Sequence, residues 1–78
     1  MMTFSEALTE LKRGAYVKRS GWNGKDQYIY LIHDVCGMDL DGEECCCFEA
    51  IAFHGTKGVQ IGWLASQADM LTDDWEVI

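Results

Sequence analysis

Apolar positions along the first dozen residues fall at helical spacing. Phe4, Ala7, Leu8 and Leu11 form one stripe, and Thr3-Phe4-Ser5-Glu6 in front of them has the pattern of a capping box. Gly14 is placed to end this helix in a left-handed conformation, so a helix is predicted over residues 4–13. The period then changes from helical to alternating. Ala15 to Arg19 reads as a short strand. Ser20 to Lys25 reads as a turn, with Asn23-Gly24 as its hairpin signal. Gln27 to His33 reads as a second strand, with Tyr28, Tyr30 and Ile32 on one face and Ile29, Leu31 and His33 on the other. Apolar residues on both faces point to a central strand, or to a face covered by another subunit. Asp34 to Glu44 is a loop by composition, and Cys45 to His54 is a third strand. Gly55-Thr56-Lys57-Gly58 turns the chain into a strand over Val59 to Trp63. Ser66-Gln67-Ala68-Asp69 is a second cap signature that opens one helical turn through Leu71, and Trp75 to Ile78 closes as a short edge strand. The expected architecture is α+β, a small single domain over residues 1–78. One N-terminal helix packs on a mostly antiparallel sheet of four to five strands.

Length limits what this domain can bury. A chain of 78 residues removes only about 60% of its unfolded surface from water. A core of that size rarely supplies more than about 3–5 kcal/mol. Disulfides, a metal or self-association are the usual supplements. The four cysteines are Cys36, Cys45, Cys46 and Cys47, and three of them are adjacent, so in a strand their side chains would alternate between faces. No paired Cys-x₂₋₄-Cys spacing of a zinc site is present. The N-terminus has no basic segment followed by an apolar one, so no secretory signal is expected and the cysteines are expected to stay reduced in a cytoplasmic protein. No apolar run is long enough to cross a membrane. Self-association is therefore the expected way of completing the core.

Charge is divided unevenly. Residues 1–25 carry five cations (Lys12, Arg13, Lys18, Arg19 and Lys25) against Glu6 and Glu10, whereas the remainder sets Lys57 against eleven carboxylates. With a total of −7, the chain offers no broad basic face for duplex nucleic acid, and no nucleic-acid partner is expected. A compact basic cluster on an acidic protein suits a small anion better.

Catalytic patterns are not evident. His33 and His54 are the two imidazoles, and each reads as a polar residue at a strand end. The nucleophile elbow, phosphate-loop and zinc-protease patterns do not occur. Asp39, Asp41, Glu43 and Glu44 lack the register of a calcium loop. The chain is read as a binding protein and not an enzyme, with no cofactor and no metal.

Binding chemistry concentrates in Lys18-Arg19-Ser20-Gly21-Trp22-Asn23-Gly24-Lys25. An indole can stack on a purine, and the Asn23 amide can both donate to and accept from a base edge. Glycines let backbone approach a phosphate, and Arg19 and Lys25 can neutralise it. The same composition also describes a hairpin turn with a packed tryptophan. Near the C-terminus, Ser66, Gln67 and Asp69 either cap a helical turn or line a pocket, and Asp69 could read a ribose hydroxyl or a base amino group. Trp63 and Trp75 read as core anchors.

Three runs, Phe4-x-Glu6-Ala7-Leu8-x-x-Leu11-Lys12-x-Gly14, then Val17, Arg19 and Gly21-Trp22-Asn23-Gly24-Lys25, and finally Trp63-x-Ala65-Ser66-Gln67-x-Asp69-Met70-Leu71-x-x-Asp74-Trp75, together resemble the Thoeris anti-defence protein 2 family of small phage and prophage proteins. The likeness covers residues 3–31 and 63–77. Between them, Gly37 to Cys47 is acidic and cysteine-rich and lacks the proline of the family pattern. The resemblance implies a homotetrameric sponge acting in the host bacterial cytoplasm. It implies sequestration of cyclic ADP-ribose isomers, and in some members cyclic dinucleotides, without degradation. It implies ligand contacts from Arg19, Trp22, Asn23 and Lys25, and from Ser66, Gln67 and Asp69. The competing readings are a signal-degrading enzyme, which would have to use His33, His54 or the cysteines, and an acidic module that blocks a host defence protein through residues 34–49.

Overall fold

A computed structural model describes residues 1–22, 26–35 and 48–78 of the chain. Its elements are helix α1 (Phe4–Lys12), strands β1 (Val17–Arg19), β2 (Tyr28–Val35), β3 (Phe48–Gly55) and β4 (Gly58–Ile61), the short helix α2 (Gln67–Leu71) and strand β5 (Trp75–Val77). The strands form one five-stranded sheet in the order β4-β3-β2-β1-β5, and each recorded pairing is antiparallel. The α+β architecture expected from the sequence is thus the one observed.

Local chemistry accounts for the ends of the elements. The Glu6 N–H donates to Thr3 Oγ1 (3.3 Å), and Glu6 Oε1 accepts from the Thr3 N–H (3.0 Å), which completes the capping box of α1. The helix ends one residue earlier than predicted, with Arg13 as its cap and Gly14 at φ 93°. Ser66 and Asp69 repeat the reciprocal pattern at α2. The predicted strand over Val59–Trp63 stops at Ile61, because Gly62 and Trp63 both donate to the Ile51 carbonyl, at 3.0 and 2.8 Å, and turn the chain across the sheet. Strand β2 extends to Val35, past the predicted end at His33. The acidic segment beyond it, the cysteines and the Asn23-Gly24 hairpin signal lie outside the described residues.

Register sorts the two faces of the sheet. Val17 pairs with Ile29, and Ile29 with Phe53. Directly opposed residues share a face, and this one meets α1. There Ala7, Leu11, Val17, Ile29 and Trp75 form the buried cluster, with Phe4, Leu8, Trp22, Ile51, Phe53 and Trp63 packed around it. The reverse face carries a tyrosine ladder: Tyr16 stacks on Tyr28 at 5.3 Å, and Tyr28 stacks on His54 at 4.7 Å. Beside them, Val59 and Ile61 are 52% and 60% exposed. β2 is central, as its two apolar faces suggested, and β5 lies at the edge.

Trp75 is the largest fully buried side chain. Its backbone pairs with Arg19 of β1 on one side and with Met2 on the other, and its indole Nε1 donates to the Asp69 carbonyl at 2.9 Å. Truncating a buried tryptophan to alanine costs about 3–5 kcal/mol. That equals what a core of this size is able to supply. The Trp75→Ala protein is therefore expected to show no cooperative thermal transition. A sharp melt within a few degrees of wild type would contradict this account of the core.

Candidate functional site

Four of the sequence-predicted residues, Arg19, Trp22, Ser66 and Asp69, meet at one end of the sheet. β1 delivers Arg19, and α2 delivers Asp69 from its first turn. Arg19 Nη1 donates to Asp69 Oδ1 at 2.8 Å and Arg19 Nε to Asp74 Oδ1 at 2.9 Å. All three side chains are largely shielded, with 19%, 13% and 21% of their surfaces exposed. One guanidinium thus faces two carboxylates in a partly dry setting. The planar fork of arginine suits such a bidentate arrangement, and lysine would not reproduce it.

Asp74 has further donors. Thr72 Oγ1 donates to its Oδ1 at 2.9 Å, and the Gly21 N–H donates to its Oδ2 at 3.2 Å. The Ser20 N–H donates to the Asp74 carbonyl at 3.0 Å, and the Trp22 N–H to the Arg19 carbonyl at 3.2 Å. Three consecutive backbone donors at the entry of the turn are therefore all engaged. Its exit is held by His54, whose Nδ1 lies 2.9 Å from the Asp26 carbonyl. A carbonyl only accepts, so the tautomer with the proton on Nδ1 is assigned. Asp26 itself sits at φ 61°. Asn23, Gly24 and Lys25, between these two anchors, lie outside the described residues.

The indole of Trp22 is half-buried and meets three rings edge-on: Trp75 at 5.4 Å, Phe53 at 5.6 Å and Trp63 at 6.3 Å. It is a packed tryptophan, as one of the two sequence readings held, and one of the rings it packs on, Phe53, also lines a surface hollow. This hollow, of about 330 Å³, is lined by Gln27, Phe53, Gly55, Thr56, Lys57, Gly58, Val59 and Gln60. It opens between the exit of the 20–27 turn and the β3–β4 hairpin. Phe53 joins it to Trp22. The volume lies at the lower end of the range for small-molecule sites. Gln27, Phe53, Thr56, Lys57 and Gln60 escaped the sequence reading. The signal was present in Gly55-Thr56-Lys57-Gly58, where a hydroxyl and a cation sit between two glycines, but the segment reads first as a turn.

Ser66 is the N-cap of α2. Its hydroxyl accepts from the Asp69 N–H at 3.1 Å, and its own N–H donates to Asp69 Oδ2 at 3.0 Å. Gln67, the first residue of α2, is exposed. Among the other cations, Lys18 pairs with Glu76 at 3.7 Å and Arg13 with Glu10 at 3.2 Å. Of the two histidines, His33 contacts Glu49 at 3.1 Å with both side chains exposed, and His54 holds the turn. No cluster of three or more metal-ligating side chains occurs among the described residues, nor does any helix among them have the length and apolarity to cross a membrane.

Electrostatics follows this geometry. The Arg19 hydrogen bond holds the Asp74 carboxyl below its ordinary range, against the opposing effect of burial and with help from Thr72 and Gly21. For Asp69, burial is the largest influence and pushes upward, but hydrogen bonds from Ser66 and Arg19 together outweigh it and hold that carboxyl low as well. A carboxylate depressed in the folded state contributes stability that is present above the unfolded pKa and is lost as pH falls through the folded one. With unfolded carboxylates titrating near about pH 4, the melting temperature is expected to fall on acidification below that value. In Asp74→Asn the acid limb should be shallower. Parallel acid limbs for the two proteins would remove Asp74 from this linkage.

Known proteins share this sequence over its whole length. The profile of the Thoeris anti-defense 2-like domain matches residues 2–78. The Thoeris anti-defense 2 protein of Bacillus phage SP01 is 39% identical over 84 aligned positions, which cover 99% of this chain and 94% of that protein.

Proposed function

The chain belongs to the Thoeris anti-defense 2 family, and from that premise we propose that it acts by binding a cyclic nucleotide immune signal and withholding it, unaltered, from the effector that reads it. Anti-defence is the role that the family carries. The ligand class, cyclic ADP-ribose isomers and in some members cyclic dinucleotides, is what the resemblance to that family implies for this chain. The observation that supports it is the hollow at the Gly55–Gly58 hairpin, one wall of which is the Phe53 ring that packs on Trp22. That aromatic ring, amides (Gln27 and Gln60) and a cation (Lys57) line one opening there. Flat rings, hydrogen-bonding edges and positive charge are what a nucleotide pyrophosphate requires. In this reading Asn23 and Lys25 complete the base and phosphate contacts from the turn. Ser66, Gln67 and Asp69 serve the same end of the sheet.

Sequestration in place of catalysis accords with where the two histidines lie. His54 is engaged by a backbone carbonyl and His33 is out on the sheet with Glu49. A cyclic ADP-ribose of about 35 heavy atoms, at about 0.3 kcal/mol per atom, reaches nanomolar affinity at best. A sponge needs that strength because it competes one-to-one with the effector.

A homo-oligomer, a tetramer on the family pattern, is part of the proposal. The reverse face of the sheet supports it: Tyr16, Val59 and Ile61 are each at least half exposed, while six hydrophobic residues are buried among the described residues. A hollow near the lower size limit would be completed by residues of a second protomer. Light scattering on the purified protein should give four times the monomer mass, and Ile61→Lys should lower that mass.

Calorimetric titration with cyclic ADP-ribose isomers and cyclic dinucleotides, followed by heat release and chromatography of the ligand, tests the central claim. Nanomolar binding with intact recovery is the expected outcome. Recovery of a hydrolysed product would make the protein an enzyme. Failure to bind any of these nucleotides would shift the anti-defence role to direct blockade of a host protein through the acidic residues 34–49.

A further inference from the structure

A carboxylate absent from the predicted site holds the start of the turn that carries the candidate ligand residues. We propose that Asp74 is a positioning residue for the ligand: it fixes the backbone at Ser20 and Gly21, immediately before Trp22, with Arg19 as its counter-cation, and does not itself touch the nucleotide. This rests on the cyclic nucleotide reading given above.

The two oxygens of Asp74 divide their work. Oδ1 takes Arg19 Nε and Thr72 Oγ1, both at 2.9 Å, and so is anchored within the protein. Oδ2 takes the Gly21 N–H at 3.2 Å and so is committed to the turn. The Asp74 carbonyl takes the Ser20 N–H at 3.0 Å. Asp74, the residue before β5, therefore grips the chain twice, once through its carbonyl and once through its side chain, immediately ahead of Trp22.

The sequence at position 21 matches this grip. A Cβ built on Gly21 would stand 3.0 Å from Asp74 Oδ2. A side chain there would press on the carboxylate, which would have to give by a few tenths of an ångström. The approach of the carboxylate thus supplies a reason for the glycine besides contact with a phosphate. Arg19 is reassigned on the same grounds. Its Nη1 and Nε are given to Asp69 and Asp74, so its charge is already neutralised inside the protein. The cationic contribution to an anionic ligand then falls to Lys25 and to Lys57 at the hollow. Preorganisation of this kind strengthens binding by sparing the ligand the entropy of ordering the turn.

Two variants test the proposal by independent routes. Asp74→Asn keeps the size of the side chain but loses its charge and one acceptor. Gly21→Ala leaves Asp74 intact and displaces it. Each is titrated with the tightest-binding cyclic ADP-ribose isomer, well below its melting temperature, and the near-ultraviolet dichroism of the tryptophans is recorded without ligand. Both variants should weaken binding about tenfold or more, the gain from holding even one residue in place, and both should alter the ligand-free spectrum. The double variant should bind no more weakly than the weaker single one, since both break one contact. Wild-type affinity in either variant would overturn the proposal. So would weakened binding in Asp74→Asn alone with an unchanged ligand-free spectrum, because that pattern marks direct contact with the ligand. Should Asp74→Asn fail to fold, Gly21→Ala decides by the same two readings. A wild-type protein that binds no cyclic nucleotide would defeat the sequestration reading first and this one with it.

Discussion

The indole of Trp75 fills the space where the N-terminal helix, the first strand and the rings of Trp22 and Trp63 come together, and the last strand of the chain has to pair with the first to place it there. Among the described residues, the next largest fully buried side chains are Leu11, Ile29 and Val17. Phe4 packs on the same indole at 5.5 Å, so the helix is oriented by it. Trp22 meets it edge-on, so the turn is oriented by it too. Edge-to-face arrangements of this type add specificity of geometry to what is otherwise undirected burial. A small core gains more from such directed contacts than a large one does, because it has fewer ways to compensate for a misplaced ring.

Beside this aromatic centre runs a second, polar set of interactions joining the same elements. Arg19, Asp69 and Asp74 link β1, α2 and the start of β5, with the two carboxylates on residues 50 and 55 positions away from the arginine. Partners so distant along the chain meet only when the sheet is closed. The charge cluster that stands out in the sequence is consequently less available than its composition suggests. Arg13, Lys18 and Arg19 are each paired with carboxylates of the same protein. Attraction for an anion is confined to a smaller region than the net charge of the first 25 residues implies.

Fold class, both capping boxes and the central position of β2 were legible in the sequence because each depends on short-range pattern: side-chain periodicity, or a hydroxyl three residues ahead of a carboxylate. The site was legible only in part. Trp22, Arg19 and Asp69 were recognisable as special but not as neighbours, since nothing local ties position 19 to positions 69 and 74. The Asp74 carboxylate beside Gly21 was invisible for the same reason: a glycine looks alike whether it admits a phosphate or a carboxylate. Lys57 and Phe53 were missed because a hairpin turn and a strand residue give no hint that they enclose a hollow. Folding supplied the missing term, the pairing of strands remote in sequence.

The β2–β3 ladder has two ends with different duties. One end, at the Tyr28–His54 pair, adjoins the turn and the hollow. The other, at Val35–Phe48, is where the acidic, cysteine-rich stretch is attached. Seven strand steps separate Tyr28 from Val35, about 23 Å at strand spacing. Alterations in the length or composition of that stretch therefore enter the sheet at the end of the ladder opposite the hollow, and are separated from it by the whole length of β2 and β3.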